Sequence, residues 1–214
     1  SMNGVRVFRS AAKNQNNSSI KKRIDTGLSF VINGLKNLGP RSQVGTDYDV
    51  VLVTCGTVFA AWLGVHYANK NKLPLVVEFR DLTYKQMIAT GAASSSAKVR
   101  AMKALELSFC KSAKRVVVLT EGFKDDLVAE GIDSSIISVV PNGADIVPCQ
   151  HSWGEHLRLG YFGTMGLSQD VPTTLRYVTR LANEGLVSSY SLVGEGAARI
   201  DVERSMGAVP DGVL

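Results

Sequence analysis

With 214 residues, of which 45% are hydrophobic, the chain is long enough for one large α/β domain or parts of two, and its composition excludes a disordered protein. Its three cysteines, Cys55, Cys110 and Cys149, lack the paired spacings of a zinc site or a disulfide framework, which predicts free thiols in a reducing cytoplasm. The net charge of +5 is uneven, because residues 1–150 hold 19 Lys and Arg against 12 Asp and Glu while residues 151–214 hold 5 against 7, and this split predicts two units with different partners.

Strand and helix patterns alternate through the first 144 residues. A short strand is predicted at Val5 to Phe8, followed by a helix that begins after Ser18 or Ser19 and ends before Gly39-Pro40. The apolar residues of this helix recur every three or four positions, which predicts one apolar face: Ile20, Ile24, Leu28, Val31, Leu35 and Leu38. Further strands are predicted at 49–54, 74–79, 115–120 and 137–140, and further helices at 59–71, 97–113 and 122–131. Continuous apolar runs such as Asp49-VVLVT are typical of strands buried on both faces of a parallel, doubly wound sheet.

The pattern restarts after a polar, irregular stretch. Strands are predicted at 157–163 and 189–194, helices at 173–185 and 197–206, and a last strand beginning at Val213. The sequence therefore predicts an α/β protein with two Rossmann-like domains and mostly parallel sheets. The first domain spans residues 1–144, a linker spans 145–156, and the second domain spans 157–214.

In open parallel sheets, ligands bind beyond the carboxyl ends of the strands, where helix N-termini converge. Arg80 and Asp81 follow one predicted strand, and they form either part of a polar site or an ion pair that closes the sheet edge. A network between Glu78 and Arg80 is a further possibility.

Two glycine loops follow the strands of the second domain. Gly163-Thr164-Met165-Gly166 lies between a strand and a helix, where glycines let the backbone approach a diphosphate and N–H groups stabilise its charge. Gly194-Glu195-Gly196 is a similar loop, and Glu195 is able to accept hydrogen bonds from a ribose or sugar hydroxyl. The alternative for both loops is an ordinary tight turn between strand and helix.

The basic run Lys21-Lys22-Arg23 lies in the first turn of its helix, where the helix dipole disfavours cations. With apolar neighbours such as Leu28, Phe30 and Val31, this segment is able to contact an anionic membrane surface or a lipid-linked diphosphate, or it is a solvated basic face. The histidines show no metal-ligand spacing, and no metal site or nucleic-acid partner is expected.

In order and spacing, the segments NGVRVFR, KKRIDTGLSF, DVVLVT, LPLVVEFRDL, KSAKRVVVLTEGFKDDLVAEGI, ISVVPNGAD, LGYFGTMGLSQ and YSLVGEG resemble glycosyltransferase family 4. The resemblance covers nearly the whole chain and is to the bacterial branch that builds O-antigen, capsule and other surface glycans. It implies a GT-B fold, with an acceptor-side and a donor-side domain, a nucleotide-diphospho-sugar as co-substrate, and no metal or other cofactor.

The resemblance also assigns roles. Gly163, Thr164 and Gly166 would face the donor phosphates, Gly194 to Gly196 would lie near the nucleoside, and Arg80 and Asp81 would face the cleft from the acceptor side, with Asp81 as a candidate base. It places the family's glycine-rich loop upstream of residue 1 and a donor-gripping E-x7-E glutamate pair beyond residue 214. The chain is thus expected to be a fragment that lacks both ends and is itself inactive.

The full protein is expected to transfer sugar to a lipid-linked or glycan acceptor, in the cytoplasm and at the inner face of the membrane. The alternative is a non-catalytic α/β module that binds a nucleotide or another anion.

Overall fold

The structure is a computed structural model that describes residues 5–13, 20–39, 48–91, 96–146, 154–166, 168–210 and 212–213. The chain divides into two compact units, unit 1 (Ser1–Ala144) and unit 2 (Asp145–Leu214), each with its own hydrophobic core. Most of the predicted linker, residues 147–153, lies outside the described residues.

Unit 1 is an α/β unit built on a parallel sheet. Its elements are α1 (Ile20–Asn37), β1 (Val51–Cys55), α2 (Val58–Asn71), β2 (Leu75–Phe79), α3 (Thr83–Ala89), α4 (Ser96–Ser112), β3 (Arg115–Val118), α5 (Glu121–Ala129), a 3₁₀ turn (Ser134–Ile136) and β4 (Ile137–Val139). The four strands lie in the order β1-β2-β3-β4 and all pair in parallel. The prediction of an α/β fold with parallel strands is therefore confirmed, although α3 was not predicted.

The sheet of unit 1 buries one set of alternating side chains. In β2 these are Leu75, Val77 and Phe79, which pack with residues of α2, α4 and α5 in a single core. The opposite set is more open, and Leu52 of β1 is 65% exposed. The prediction that this strand is buried on both faces is therefore wrong for β1, because only its Val53 and Cys55 side reaches the core.

Side-chain caps and glycines set the ends of the helices. Thr57 and Thr120 are the N-caps of α2 and α5, and each hydroxyl accepts a hydrogen bond at 3.2 Å from the backbone N–H three residues on. Gly131, at φ +84°, follows α5, and Gly185, at φ +72°, follows a helix of unit 2. Such left-handed conformations suit glycine, which lacks the Cβ that opposes them.

Helix α1 packs against α2 through glycines. A Cβ at Gly27 would lie well under 3.0 Å from Phe59, and one at Gly34 well under 3.0 Å from Leu63, so these two positions allow the helices to approach closely. Three residues of the predicted apolar face are partly exposed: Ile24, Leu28 and Leu35 are 45%, 49% and 36% exposed, and Ile32 beside them is 54% exposed. We call these four residues the α1 stripe.

The N-terminal segment runs beside α1 and does not form the predicted strand. Only Val5 makes a bridge, and residues 6–13 are irregular. The Asn33 Nδ2 donates to the carbonyl of Ala11 at 2.7 Å, and the Asn37 Nδ2 donates to the Ser10 hydroxyl at 3.0 Å. Side-chain amides of α1 thus supply the hydrogen bonds that a sheet would otherwise provide.

Unit 2 is a smaller α/β unit. Its elements are β5 (Leu157–Phe162), α6 (Val171–Asn183), β6 (Val187–Val193) and α7 (Arg199–Met206), and β5 pairs with β6 in parallel. The predicted last strand is not formed at Val213, which lies in a turn. The carbonyl of Val213 nevertheless accepts a hydrogen bond from the backbone N–H of Tyr190 in β6.

Candidate functional site

The carboxyl edge of the unit 1 sheet carries the first set of predicted site residues. All four strands end at this edge because they are parallel, and their last residues are Cys55, Phe79, Val118 and Val139. Helices α2 and α5 begin there, so their N-terminal N–H groups and positive dipole ends lie at the same edge.

Arg80 and Asp81 follow β2 at this edge and are both exposed. Neither side chain forms an ion pair or a hydrogen bond within the described part of the chain, so the alternative of a closing ion pair is not observed. The Glu78–Arg80 network is also absent there, because the Glu78 Oε2 instead accepts a hydrogen bond from the Thr54 hydroxyl on β1 at 2.6 Å. Both side chains therefore remain accessible to a ligand.

A buried glutamate fixes the loop that carries these two residues. Glu106 of α4 is fully buried, and its carboxylate accepts the backbone N–H of Thr83 at 2.9 Å and of Tyr84 at 3.2 Å. It thereby caps the N-terminus of α3, whose own N-cap, Leu82, supplies no side-chain bond. A carboxylate at this end is stabilised by the helix dipole. The connection from β2 to α3 is therefore held from a separate helix.

Sequence reasoning missed Glu106. The signal was its spacing, since Met102, Glu106 and Cys110 recur every four residues on the apolar face of α4. A charged residue at such a position is buried by its neighbours and needs hydrogen-bond partners.

Helix α3 is anchored further through Tyr84. The hydroxyl of this buried tyrosine has no partner among the described residues, and burial, assisted by nearby Glu130 and Asp126, raises the pKa of Tyr84 to about 12. The Lys103 ammonium lies 5.8 Å from the ring centroid and pairs with Glu130 at 2.6 Å, while Lys85 pairs with Asp126. These contacts join α3 and α4 to α5.

Two cysteines of unit 1 lie in the core. Burial raises the pKa of Cys55 and of Cys110 to about 12, and Glu106 contributes in both cases. Both thiols are therefore protonated near neutral pH, which makes them poor nucleophiles and metal ligands. Cys149 lies outside the described residues.

In unit 2, the two predicted glycine loops lie together. The backbone N–H of Gly163 donates to Val193 at 3.0 Å, that of Met165 donates to Glu195 at 2.9 Å, and that of Ala198 donates to Met165 at 2.8 Å. Met165 is 5% exposed and belongs to the unit 2 core. We call residues 163–166 and 194–197 together the joined loops.

Glycines in the joined loops have different roles. A Cβ at Gly194 would lie well under 3.0 Å from the carbonyl oxygen of Gly163, and one at Gly196 would meet the backbone of Met165 equally closely. Packing of the two loops therefore requires Gly194 and Gly196 irrespective of any ligand. At Gly163 the nearest atom is 3.6 Å away, an ordinary contact, and at Gly166 it is the flexible end of Gln169.

Several backbone N–H groups of the joined loops are free to bind an anion. Those of Thr164, Gly166, Glu195, Gly196 and Ala197 donate no hydrogen bond within the described ranges. All these residues are exposed or half-buried. Free N–H groups in glycine loops after parallel strands are typical of phosphate sites.

Glu195 is already paired with a cation. The Arg199 Nη1 donates to Glu195, and the Arg199 Nε donates to Glu203 at 2.7 Å. Hydrogen bonds from the guanidinium to Glu203 and then Glu195 raise the pKa of Arg199. Glu195 and Glu203 themselves show the E-x7-E spacing, which the sequence reasoning did not assign to them.

No group of three or more His, Cys, Asp and Glu side chains in the described residues could hold a metal ion. Among the helices of the same residues, none has the length and hydrophobicity required to cross a bilayer.

A family model described as a glycosyl transferase 4-like domain matches residues 2–143. The chain belongs to the glycosyl transferase 4-like family. No curated protein matches it. The glycosyl transferase 4-like match coincides with unit 1 almost to the residue, so unit 1 is a glycosyltransferase domain. Such a domain implies a nucleotide-sugar donor and an acceptor as substrates of the protein.

Proposed function

We propose that the protein transfers a sugar from a nucleotide-diphospho-sugar to a lipid-linked or glycan acceptor in surface-polysaccharide synthesis, with unit 1 on the acceptor side and unit 2 on the donor side. Family membership of unit 1 supports the reaction class. The observation that carries the donor side is the set of free N–H groups on the joined loops.

The joined loops suit a nucleoside diphosphate. The N–H groups of Thr164 and Gly166 would bind the phosphates beside Gly163, where the nearest atom to the position of a Cβ is the Tyr161 hydroxyl at 3.6 Å. The segment from Gly194 to Gly196 would lie near the nucleoside, with Glu195 accepting from a hydroxyl. Fixed N–H dipoles stabilise the charge of the departing diphosphate without reorganising, so we propose no metal or other cofactor.

Arg80 and Asp81 are proposed to act on the acceptor side. Asp81 would accept a hydrogen bond from the acceptor hydroxyl and orient it or serve as its base, and Arg80 would supply positive charge to an anionic acceptor. Their support is exposure at the carboxyl edge of the sheet, on a loop fixed by Glu106.

Calorimetry with UDP and GDP tests the donor proposal. We expect saturable binding of one of them to the 214-residue chain and a loss of about tenfold or more in affinity in Gly163→Val, because an isopropyl group at this position would crowd phosphates bound in the proposed place. Gly143→Val is the matched control, because this glycine lies in unit 1, has no atom within 4 Å of the position of a Cβ and has no left-handed backbone conformation.

No binding of either nucleotide to the wild-type chain would overturn the donor proposal. Nucleotide binding without any transfer of sugar to an acceptor would favour the alternative of a non-catalytic nucleotide-binding module.

The α1 stripe supports a membrane contact. Lys21 and Lys22 are exposed at the N-terminal end of α1, and the four apolar residues of the stripe face outward along the same helix; the side chain of Arg23 lies outside the described residues. Apolar side chains next to cations suit the surface of an anionic bilayer. We propose that α1 lies on the cytoplasmic face of the inner membrane, with Lys21, Lys22 and Arg23 at the lipid headgroups.

Liposome flotation tests this contact. We expect Leu28→Gln with Ile32→Gln to reduce flotation with anionic vesicles several-fold, and Lys21→Ala with Lys22→Ala to reduce it at low salt but less at high salt. Ile200→Gln, at a 63% exposed apolar position on α7, is the matched control and should float like the wild type. Equal flotation of all variants would refute the proposal.

A further inference from the structure

Arg199 is the one cation that the described residues place against the joined loops. Besides its contact with Glu195, its backbone N–H donates to the carbonyl of Gly196 at 3.2 Å. The other arginines of unit 2 are engaged elsewhere or lie at the start of β5: Arg158, Arg176, Arg180 and Arg204. Arg199 is therefore the cation of this unit with observed contacts to the joined loops.

Binding of a diphosphate at the joined loops requires this cation, because the other charges nearby are negative. Glu195 and Glu203 place two carboxylates on one guanidinium, and Asp170 lies at the N-cap of α6, so the described charges around the joined loops are more negative than positive. Free N–H groups alone would have to offset this repulsion and also the charge of the diphosphate.

The guanidinium has the donors to serve both roles. Arginine carries five N–H groups, of which Glu203 occupies one on Nε and Glu195 one on Nη1, so Nη2 has no partner among the described residues. The hydrogen bond from Nε to Glu203 fixes the orientation of the planar guanidinium. Its remaining N–H groups match the oxygens of a phosphate in a bidentate manner.

We propose that Arg199 is a diphosphate-binding residue. When a nucleoside diphosphate binds, the guanidinium keeps its hydrogen bond to Glu203 and replaces its hydrogen bond to Glu195 by hydrogen bonds to the phosphate oxygens. The exchange releases the Glu195 carboxylate to accept a hydrogen bond from a hydroxyl of the same ligand. This inference rests on the proposed donor role of unit 2.

Calorimetry of the 214-residue chain with UDP, GDP and inorganic pyrophosphate tests it. We expect Arg199→Ala to weaken binding of the nucleotide and of pyrophosphate by about tenfold or more, and Arg199→Lys to restore part of the loss, because it keeps the charge but not the fork. Arg204→Ala is the matched control, since Arg204 lies on the same helix, is exposed and pairs with Asp201 at 3.2 Å.

Glu195→Gln separates a direct contact from an indirect one. It removes the same ion pair but keeps Arg199, so we expect it to raise the affinity for pyrophosphate. If Arg199 merely orders the loop through Glu195, this variant will instead lose pyrophosphate affinity as Arg199→Ala does, and the inference fails. Nucleotide binding that survives Arg199→Ala overturns the inference alone, whereas no binding by the wild type overturns the donor role with it.

Discussion

Replacing Gly194 by alanine is expected to destabilise unit 2 by about 3 kcal/mol. The new methyl group would collide with the carbonyl oxygen of Gly163. Gly163 is itself held in place, because its backbone N–H donates a hydrogen bond to the carbonyl of Val193. A backbone atom in a paired loop cannot rotate away as a side chain can. The φ of Gly194 is not positive, so the penalty is steric and does not arise from backbone strain.

Hydrogen exchange measured by mass spectrometry under increasing urea resolves this loss by unit. We expect peptides of α6 and β6 to open at lower urea in Gly194→Ala and in Gly196→Ala, while peptides of the unit 1 sheet keep their wild-type protection. Gly163→Ala is the matched control, because its methyl group would meet the nearest atom at 3.6 Å. Wild-type exchange in Gly194→Ala would contradict the contact between the loops.

Replacing Glu106 by alanine is expected to cost unit 1 about 3 kcal/mol. The change leaves the N–H groups of Thr83 and Tyr84 without their acceptor and opens a void in a fully buried position. Glu106→Gln should cost less, since the amide oxygen can accept one of the two N–H groups and the volume is kept.

Trp62 fluorescence during urea unfolding, in a Trp153→Phe background, measures this effect. Glu130→Gln is the control, because the ion pair of Glu130 with Lys103 lies nearer the surface and should contribute less than about 1 kcal/mol.

We also expect faster hydrogen exchange of the Thr83 and Tyr84 amides in Glu106→Gln, at urea concentrations where the rest of unit 1 stays protected. A midpoint unchanged in Glu106→Ala would show that the capping bonds do not stabilise the unit.

The strands and most helices could be predicted because their patterns are local. Residues 75–79 form a strand since apolar β-branched residues suit a buried sheet, and Thr120 begins a helix since its hydroxyl caps the third N–H on. Helix α3 was missed because its stability comes from Glu106, 22 and 23 residues further along the chain. No window of sequence around α3 contains that information.

The positions of the two glycine loops were predictable from the sequence, but the contacts between them were not. Glycines after parallel strands pointed to residues 163–166 and 194–196, yet the sequence did not show that Gly194 and Gly196 make room for the neighbouring backbone. Helix α1 illustrates the same limit, since periodicity located the helix but not the side that packs. Its glycines approach α2, and Leu28 of the apolar set remains outside.

Under the proposed donor role of unit 2, the joined loops also determine how the donor preference of the protein can be re-engineered. Because the carbonyl of Gly163 fills the space that any side chain at position 194 would need, and Met165 is bonded on both sides to the second loop, the two segments form one graftable part. A chimera in which only one of the two loops is replaced by that of a relative would disturb the packing between the loops. Replacing both loops together, with β5 and β6 unchanged, would preserve the contacts between them.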